Sequence, residues 1–303
     1  MTDQFLALPN TDPNEADVLI LPVPYEKTVT YNRGTSAGPQ AILAASEQLE
    51  FYEEDKGWCP LQYLKLAVLE QVATNQIEKE FHQGLYETVS SLNQDNLFIA
   101  IGGEHSITPE MVFARMPEGG TVVQIDAHAD FRPVYHGSVY NHACPMFRIR
   151  EKGYSLIQVG IRSLHASEAQ ALRQDELVTT YFDRDLQKAE NWQKLFDQLN
   201  GLSGDVYFTI DLDGFDPALI AGVGTPQPGG LSWHQGLDIL ECLTDNPNID
   251  LRGMDIVELI PEASCVSDML AAKLVQKMIS YWGKSRGADK KQPFGSQQGI
   301  NDE

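Results

Sequence analysis

Three short clusters of aspartate and histidine could bind metal ions, and each directly follows a run of apolar residues. The first cluster is Asp126, His128 and Asp130 in the segment DAHAD, after the apolar run at 121–125. In an extended backbone, alternate side chains point the same way, so these three side chains would converge. A capped turn would explain one aspartate, whereas carboxylates packed this closely need a cation.

The other two clusters add further candidate ligands. Asp211 and Asp213 follow the run at 206–210 in DLDGFDP, and His105 follows the run at 97–101 in GGEHS. An Asp-x-Asp-Gly pattern also occurs in turns and in calcium loops, but no glutamate stands here at the closing position of a calcium loop. The glycines before His105 belong to neither phosphate-binding motif, GxGxxG or GxxxxGK[ST].

Together the clusters offer two histidines, four carboxylates and no thiolate at three strand ends. Sites dominated by oxygen ligands favour Mn²⁺ or Mg²⁺ over Zn²⁺. Two divalent ions about 3.5–4 Å apart can activate a water molecule for attack near neutral pH. The residues therefore predict a two-metal hydrolase.

Strand-like apolar runs alternate with amphipathic segments along the chain, and these elements must position the clusters. Strands are predicted at 18–21, 64–69, 97–101, 121–125, 155–160, 178–182, 206–210 and 251–259, and helices at 39–50, 77–92, 187–199, 234–244 and 268–282. This alternation predicts an α/β fold whose parallel sheet is covered on both faces. In such sheets function collects at the carboxyl ends of the strands, where the three clusters lie.

The charge of the chain narrows the choice of partners. The 303 residues carry a formal net charge of -21, which argues against binding to nucleic acid or to an anionic membrane surface. A small cationic substrate or a divalent metal fits this charge better.

The sequence also predicts a cytoplasmic protein with one domain. The N-terminus lacks the features of a secretory signal, and no run of about 18 apolar residues predicts a membrane span. The four cysteines form no CxxC pair and are expected to be reduced thiols. We predict a single domain at 1–283, followed by a polar, disordered tail at 284–303.

The segments GGEHS, DAHAD and DLDGFDP, in this order, resemble the ureohydrolases, the family of arginases and agmatinases. Further similar segments lie at 24–25, 35–42, 224–231 and 253–259, so that the resemblance covers roughly residues 17–282. It implies a three-layer αβα sandwich around a mostly parallel sheet of about eight strands. It also implies a homo-oligomer, either a trimer or a hexamer.

The same resemblance implies a role for each residue of the site. Two manganese ions are expected per chain, although some related enzymes use nickel. One ion would be bound by His105, Asp126, Asp130 and Asp211, and the other by Asp126, His128, Asp211 and Asp213. The implied reaction is hydrolysis of a guanidino compound to urea and an amine.

Three further residues receive roles from the resemblance alone. His142 would carry a proton to the leaving amine, because an amine cannot leave as an anion. Glu258 would bind the planar guanidinium group. Asp216 would lie farther from the reaction and steady His105 or a metal-bound water.

The substrate is inferred from Arg132, which stands where arginases carry an asparagine that meets the amino-acid carboxylate. The loop ending in NHACPMFR and the Glu104 of GGEHS look more like bacterial agmatinases. These features favour agmatine, cleaved to putrescine and urea in polyamine biosynthesis, with Arg132 turned toward an acid that could come from another subunit. Arginine, guanidinobutyrate and free guanidine remain as alternatives.

Two hypotheses come from other classes of protein. A deacetylase-like hydrolase with a single zinc ion would lack one histidine or the second pair of aspartates. A catalytically idle metal-binding scaffold would be expected to have lost His142 or Glu258. All of these residues are present in the sequence.

Overall fold

The computed structural model describes residues 4–294, and within this part of the chain eight strands form one parallel sheet. The strands are β1 (Val18–Val23), β2 (Leu66–Val68), β3 (Leu97–Gly102), β4 (Thr121–Ile125), β5 (Ser155–Ile161), β6 (Val178–Phe182), β7 (Gly204–Asp211) and β8 (Ile249–Val257). Their order is β2-β1-β3-β8-β7-β4-β5-β6, and every neighbouring pair is parallel. The predicted parallel sheet is confirmed.

Helices connect the strands and cover the sheet. They are α1 (Gly38–Ser46), α2 (Glu78–Ser90), α3 (Thr108–Arg115), α4 (Pro145–Glu151), α5 (Ala166–Gln174), α6 (Asp183–Leu186), α7 (Ala189–Asn200), α8 (Trp233–Asp245) and α9 (Val266–Ser285). The five predicted helices correspond to α1, α2, α7, α8 and α9. The helices α3 to α6 were not predicted, because none exceeds nine residues and so short a helix shows little apolar periodicity.

The core lies in two layers, one on each face of the sheet. In β1, Val18 and Ile20 pack into one layer, whereas Leu19 and Leu21 pack into the other. Helices α1, α8 and α9 contribute to the first layer, and α2, α3 and α4 contribute to the second. Burial of both faces explains the nearly continuous apolar strands and confirms the three-layer αβα arrangement.

The C-terminal boundary differs from the prediction. Helix α9 continues to Ser285, and a 3-10 helix follows at Ala288–Lys290. Lys284 forms an ion pair of 2.9 Å with Asp289, and Ala288 is buried. The start of the predicted disordered tail is therefore helical, and the prediction for residues 295–303 lies outside the described residues. No described helix is long and apolar enough to cross a membrane.

Candidate active site

The three clusters meet at the carboxyl ends of central strands of the sheet. His105 opens a short 3-10 helix just after β3, Asp126 directly follows β4, and Asp211 ends β7. Strands β3, β8, β7 and β4 are adjacent in the sheet, so their ends open toward one edge. The structure brings all six predicted ligand residues into two overlapping groups there.

The first group surrounds the buried ring of His105. Its Nδ1 lies 3.1 Å from Asp126 Oδ2, 3.2 Å from Asp130 Oδ2 and 3.5 Å from Asp211 Oδ2. Despite these short distances, Nδ1 makes no hydrogen bond of suitable geometry. A cation, either a proton or a metal ion, is needed among these four groups.

The second group surrounds His128. Its Nδ1 lies 3.0 Å from Asp213 Oδ2 and 3.7 Å from Asp126 Oδ1. Asp126 therefore contacts His105 with one oxygen and His128 with the other. This is the arrangement expected of a carboxylate that bridges two metal ions.

The backbone of DAHAD does not continue as one extended strand. Strand β4 ends at Ile125, and Asp130 has a φ of +49°, in the left-handed region. Asp130 therefore turns to His105, while His128 joins Asp213. The expectation of three parallel side chains was wrong, although all three reach the site. Glu258 also has a positive φ, +69°, and such backbone conformations concentrate at functional sites.

The charges of the two groups fit a pair of divalent cations. Burial and the charge of Asp126 raise the pKa of Asp130 to about 7. Burial, together with Asp213 and Asp126, raises the pKa of Asp211 well above its usual range. His105, Asp126 and Asp130 each offer one ligand atom within 4.8 Å of the others, and the same holds for Asp126, His128 and Asp213. Metal ions would compensate these carboxylates, and the oxygen-rich donor set suits Mn²⁺ or Mg²⁺.

A threonine and a second carboxylate orient the ring of His105. The His105 Nε2 lies 2.9 Å from Thr209 Oγ1, and the Thr209 hydroxyl donates to Asp255 Oδ1 at 2.5 Å. Because the single hydroxyl proton goes to Asp255, the His105 Nε2–H must donate to Thr209. The Nδ1 lone pair then faces the carboxylates, as a metal ligand requires. The sequence analysis did not predict a role for these two residues, although a polar residue inside an otherwise apolar strand is a signal that could have identified them.

His142 and Glu258 line one cavity of about 310 Å³ together with His128, Asp130 and Asp211. The Glu258 Oε1 accepts a hydrogen bond of 2.8 Å from the backbone N–H of His105. Burial and the nearby Glu104 raise the pKa of Glu258 well above its usual range, so a cation beside it would favour its charged form.

The ring of His142 is neutral in this environment. Burial, followed by repulsion from His128, lowers the pKa of His142 to about 4. A neutral imidazole at pH 7 has one nitrogen free to accept a proton. His142 can therefore take up a proton in the cavity and release it again.

Arg132 lies at the cavity wall and turns toward an acid of its own chain. Its Nε lies 3.4 Å from Glu168 Oε2, and its guanidinium lies 4.2 Å from the centre of the Tyr135 ring. Glu168 is buried and accepts hydrogen bonds from the backbone N–H groups of Phe131 (2.9 Å) and His165 (2.7 Å). Glu168 was not predicted, because this contact depends on how the loop after β4 packs against the first turn of α5.

Comparison with known proteins identifies the family. A sequence model of the arginase family matches residues 16–280. The chain belongs to the arginase family of ureohydrolases. This confirms the membership that the three acidic and histidine-containing segments predicted.

Individual members of the arginase family align with most of this chain. It is 37% identical to the N(1)-aminopropylagmatine ureohydrolase of Synechocystis sp., with 90% of this chain and 91% of the relative covered. It is 34% identical to the agmatinase of Pyrococcus horikoshii, with coverages of 84% and 87%. The crystal structure of the agmatine ureohydrolase of Thermoplasma volcanium superimposes with a TM-score of 0.82 at 32% identity, covering 91% of this chain and 93% of that one.

One role implied by the resemblance to the arginase family does not fit this chain. Asp216 is exposed, and its carboxylate accepts a hydrogen bond of 2.8 Å from the backbone N–H of Ala218. The His105 ring is held by Thr209 instead. Asp216 therefore stabilises a local turn rather than the His105 ring.

Proposed function

We propose that this arginase-family chain is a manganese-dependent enzyme that hydrolyses a guanidino amine and releases urea. The proposal rests on one cavity whose wall contains metal-ligand candidates and, in addition, Glu258 and His142. A guanidinium group placed there would meet a carboxylate, a proton carrier and the two ligand groups at once.

The two groups of ligands would hold the metal ions. His105, Asp130 and Asp126 would bind one ion, and His128, Asp213 and Asp126 the other, with Asp211 beside the first group. When bound, such a pair supplies Lewis acidity and activates water at neutral pH. The oxygen-rich donor set supports manganese as the resident metal.

Glu258 and His142 would act on the substrate directly. The Glu258 carboxylate would bind and orient the guanidinium, whose planar donors suit a carboxylate. His142 would take up a proton in the cavity and donate it to the departing nitrogen, which then leaves as a neutral amine.

The position of Arg132 supports a substrate without a carboxylate. Its Nε faces Glu168 and its guanidinium lies over the Tyr135 ring, so its charge is already partly compensated within the chain and is less available to the α-carboxylate of arginine. Desolvating the unpaired carboxylate of arginine would cost several kcal/mol. We therefore infer an amine of the agmatine type.

Two amines of this type are candidates. N1-aminopropylagmatine is placed first, because the relatives named N(1)-aminopropylagmatine ureohydrolase in Synechocystis sp. and Thermus thermophilus are 37% and 34% identical to this chain. Agmatine is placed second, because the relative from Pyrococcus horikoshii named agmatinase is 34% identical.

A panel of guanidines tests the proposal. The manganese-loaded protein is incubated with N1-aminopropylagmatine, agmatine, arginine and 4-guanidinobutyrate, and kcat/KM is obtained from urea release. Both amines should exceed arginine by at least about 100-fold, since the penalty on an unpaired carboxylate is several kcal/mol. Arginine equal to agmatine would overturn the inferred substrate, and a preference for 4-guanidinobutyrate would mean that Arg132 contacts the substrate.

Two matched variants complete the test. Glu258→Gln should sharply raise KM for every guanidine, whereas Asp216→Asn, outside the cavity, should behave as the unchanged protein. Absence of urea from all four compounds would favour the idle metal-binding scaffold. A single bound metal ion in active protein would favour the single-zinc hydrolase.

A further inference from the structure

Thr28 lies between a buried carboxylate and the ring of His142. Its Oγ1 is 2.8 Å from Glu104 Oε1 and 3.0 Å from His142 Nδ1. The three residues come from the loop after β1, the turn after β3 and the loop before α4. The fold thus brings three distant segments of the chain into one chain of hydrogen bonds.

Glu104 is surrounded by hydrogen-bond donors. It is 1% exposed, and its Oε2 accepts the backbone N–H groups of Lys27 (2.6 Å) and Thr28 (2.7 Å). Its Oε1 accepts the hydroxyl of Ser106 at 2.6 Å. Because a carboxylate is a stronger acceptor than an imidazole, the single hydroxyl proton of Thr28 also goes to Glu104.

This assignment determines where the ring proton of His142 lies. The Thr28 oxygen accepts the backbone N–H of His142 at 3.0 Å, and its remaining lone pair faces Nδ1. A lone pair on Nδ1 would meet an oxygen with no proton left to donate. The ring proton therefore lies on Nδ1, and Nε2 carries the lone pair. This nitrogen faces the hydroxyl of Thr30, a residue of the cavity wall, at 3.4 Å.

We infer that Thr28 and Glu104 position His142 for proton transfer by holding its Nδ1–H tautomer, so that Nε2 exchanges protons with the cavity. This inference rests on the proposed function only in that the proton serves departure of the amine. Thr28 acts through His142 and is a positioning residue. In the other tautomer the proton would lie on Nε2, and Nε2 could then not take up a proton from the cavity.

Two substitutions at one position test the inference by kinetics. Thr28→Val keeps the shape of the side chain and removes the hydroxyl, whereas Thr28→Ser keeps the hydroxyl. In manganese-loaded protein, Thr28→Val should lower kcat about 10- to 100-fold, which is part of the rate enhancement that a proton-transferring side chain usually provides. KM and metal content should be nearly unchanged. Thr28→Ser should retain most of kcat. Thr88→Val, which removes an exposed hydroxyl on α2, is the matched control and should not change kcat.

A spectroscopic measurement tests the tautomer without any activity. Protein with ¹⁵N-labelled histidine, loaded with diamagnetic Zn²⁺, is studied by long-range ¹H–¹⁵N NMR, and His142→Gln assigns the His142 signals. The unchanged protein and Thr28→Ser should show a protonated Nδ1 and an unprotonated Nε2, and Thr28→Val should lose this preference.

The outcomes separate this inference from the proposed function. A proton on Nε2 of His142 in the unchanged protein would overturn the inference, as would a Thr28→Val variant with unaltered kcat and spectrum. If the spectra agree but no guanidine yields urea, the hydrogen-bond chain stands and the proposed function fails. If Thr28→Val does not fold, the spectra of the unchanged protein and of Thr28→Ser still decide.

Discussion

His105 and His142 are each connected through a threonine to a buried carboxylate, but through opposite ring nitrogens. At His105, Thr209 and Asp255 engage Nε2, which leaves Nδ1 facing three carboxylates within 3.5 Å. At His142 the threonine engages Nδ1, which leaves Nε2 toward the cavity. The same pair of side-chain types can therefore prepare a histidine for metal binding or for proton transfer, depending on the nitrogen that it engages.

The surroundings of the two rings agree with this division. His105 is fully buried, as befits a ligand whose orientation has to be constant. His142 is half-buried and lies on a loop at the cavity wall, where its ring is accessible from the cavity. Substitutions on the His105 side should therefore change metal binding, and those on the His142 side should change turnover.

The largest effect is expected from Asp126→Asn. Asp126 contacts both histidines of the ligand groups, so loss of its charge should release both metal ions and abolish urea production together. Elemental analysis and a urea assay check this, and Asp216→Asn, the same substitution at an exposed aspartate, is the control. An Asp126→Asn protein that is fully active with one ion or none would disprove the bridging role.

A smaller effect is expected from His142→Ala. The ring is not among the ligand candidates, so metal content should stay at the unchanged value while kcat falls about 10²–10⁴-fold. The measurement is kcat at saturating manganese, beside the metal content of the same sample. Full turnover of His142→Ala at neutral pH would remove His142 from the mechanism.

The smallest effect is expected from Thr209→Val, which removes the hydroxyl that contacts the His105 ring. Loss of this hydroxyl should weaken metal affinity about 10- to 100-fold, as for other residues that orient a ligand, while kcat at saturating metal changes little. Thr209→Ser should restore the affinity. The opposite pattern is expected for Thr28→Val, so a Thr209→Val variant impaired in kcat alone would contradict the division.

The sheet could be predicted because each strand carries its signal locally. A strand buried on both faces is a short apolar run, as at Leu97–Gly102, and the run ends where the polar residues begin. The missed helix Pro145–Glu151 has only seven residues, and tertiary contacts rather than periodicity stabilise it.

The residues of the candidate site also divide into those with a local signal in the sequence and those without one. Asp126 and Asp211 could be predicted because they follow or end buried strands, where buried carboxylates require a cation. The contacts of Thr28 with Glu104 and of Arg132 with Glu168 could not, because they join distant segments whose relative positions depend on the whole fold. The left-handed backbone of Asp130 likewise has no signature in its sequence.

Strand β8 lies between β3 and β7, although it is the last described strand to be synthesised. Ile99 of β3 pairs with Met254, and Ile210 of β7 pairs with Ile256, so β8 sets the spacing of these two strands. A growing chain thus contains all six ligand residues before the strand that sets their separation has left the ribosome. We therefore expect metal uptake to be a late step of folding, and chains that end before β8 should carry the ligand candidates without a formed site.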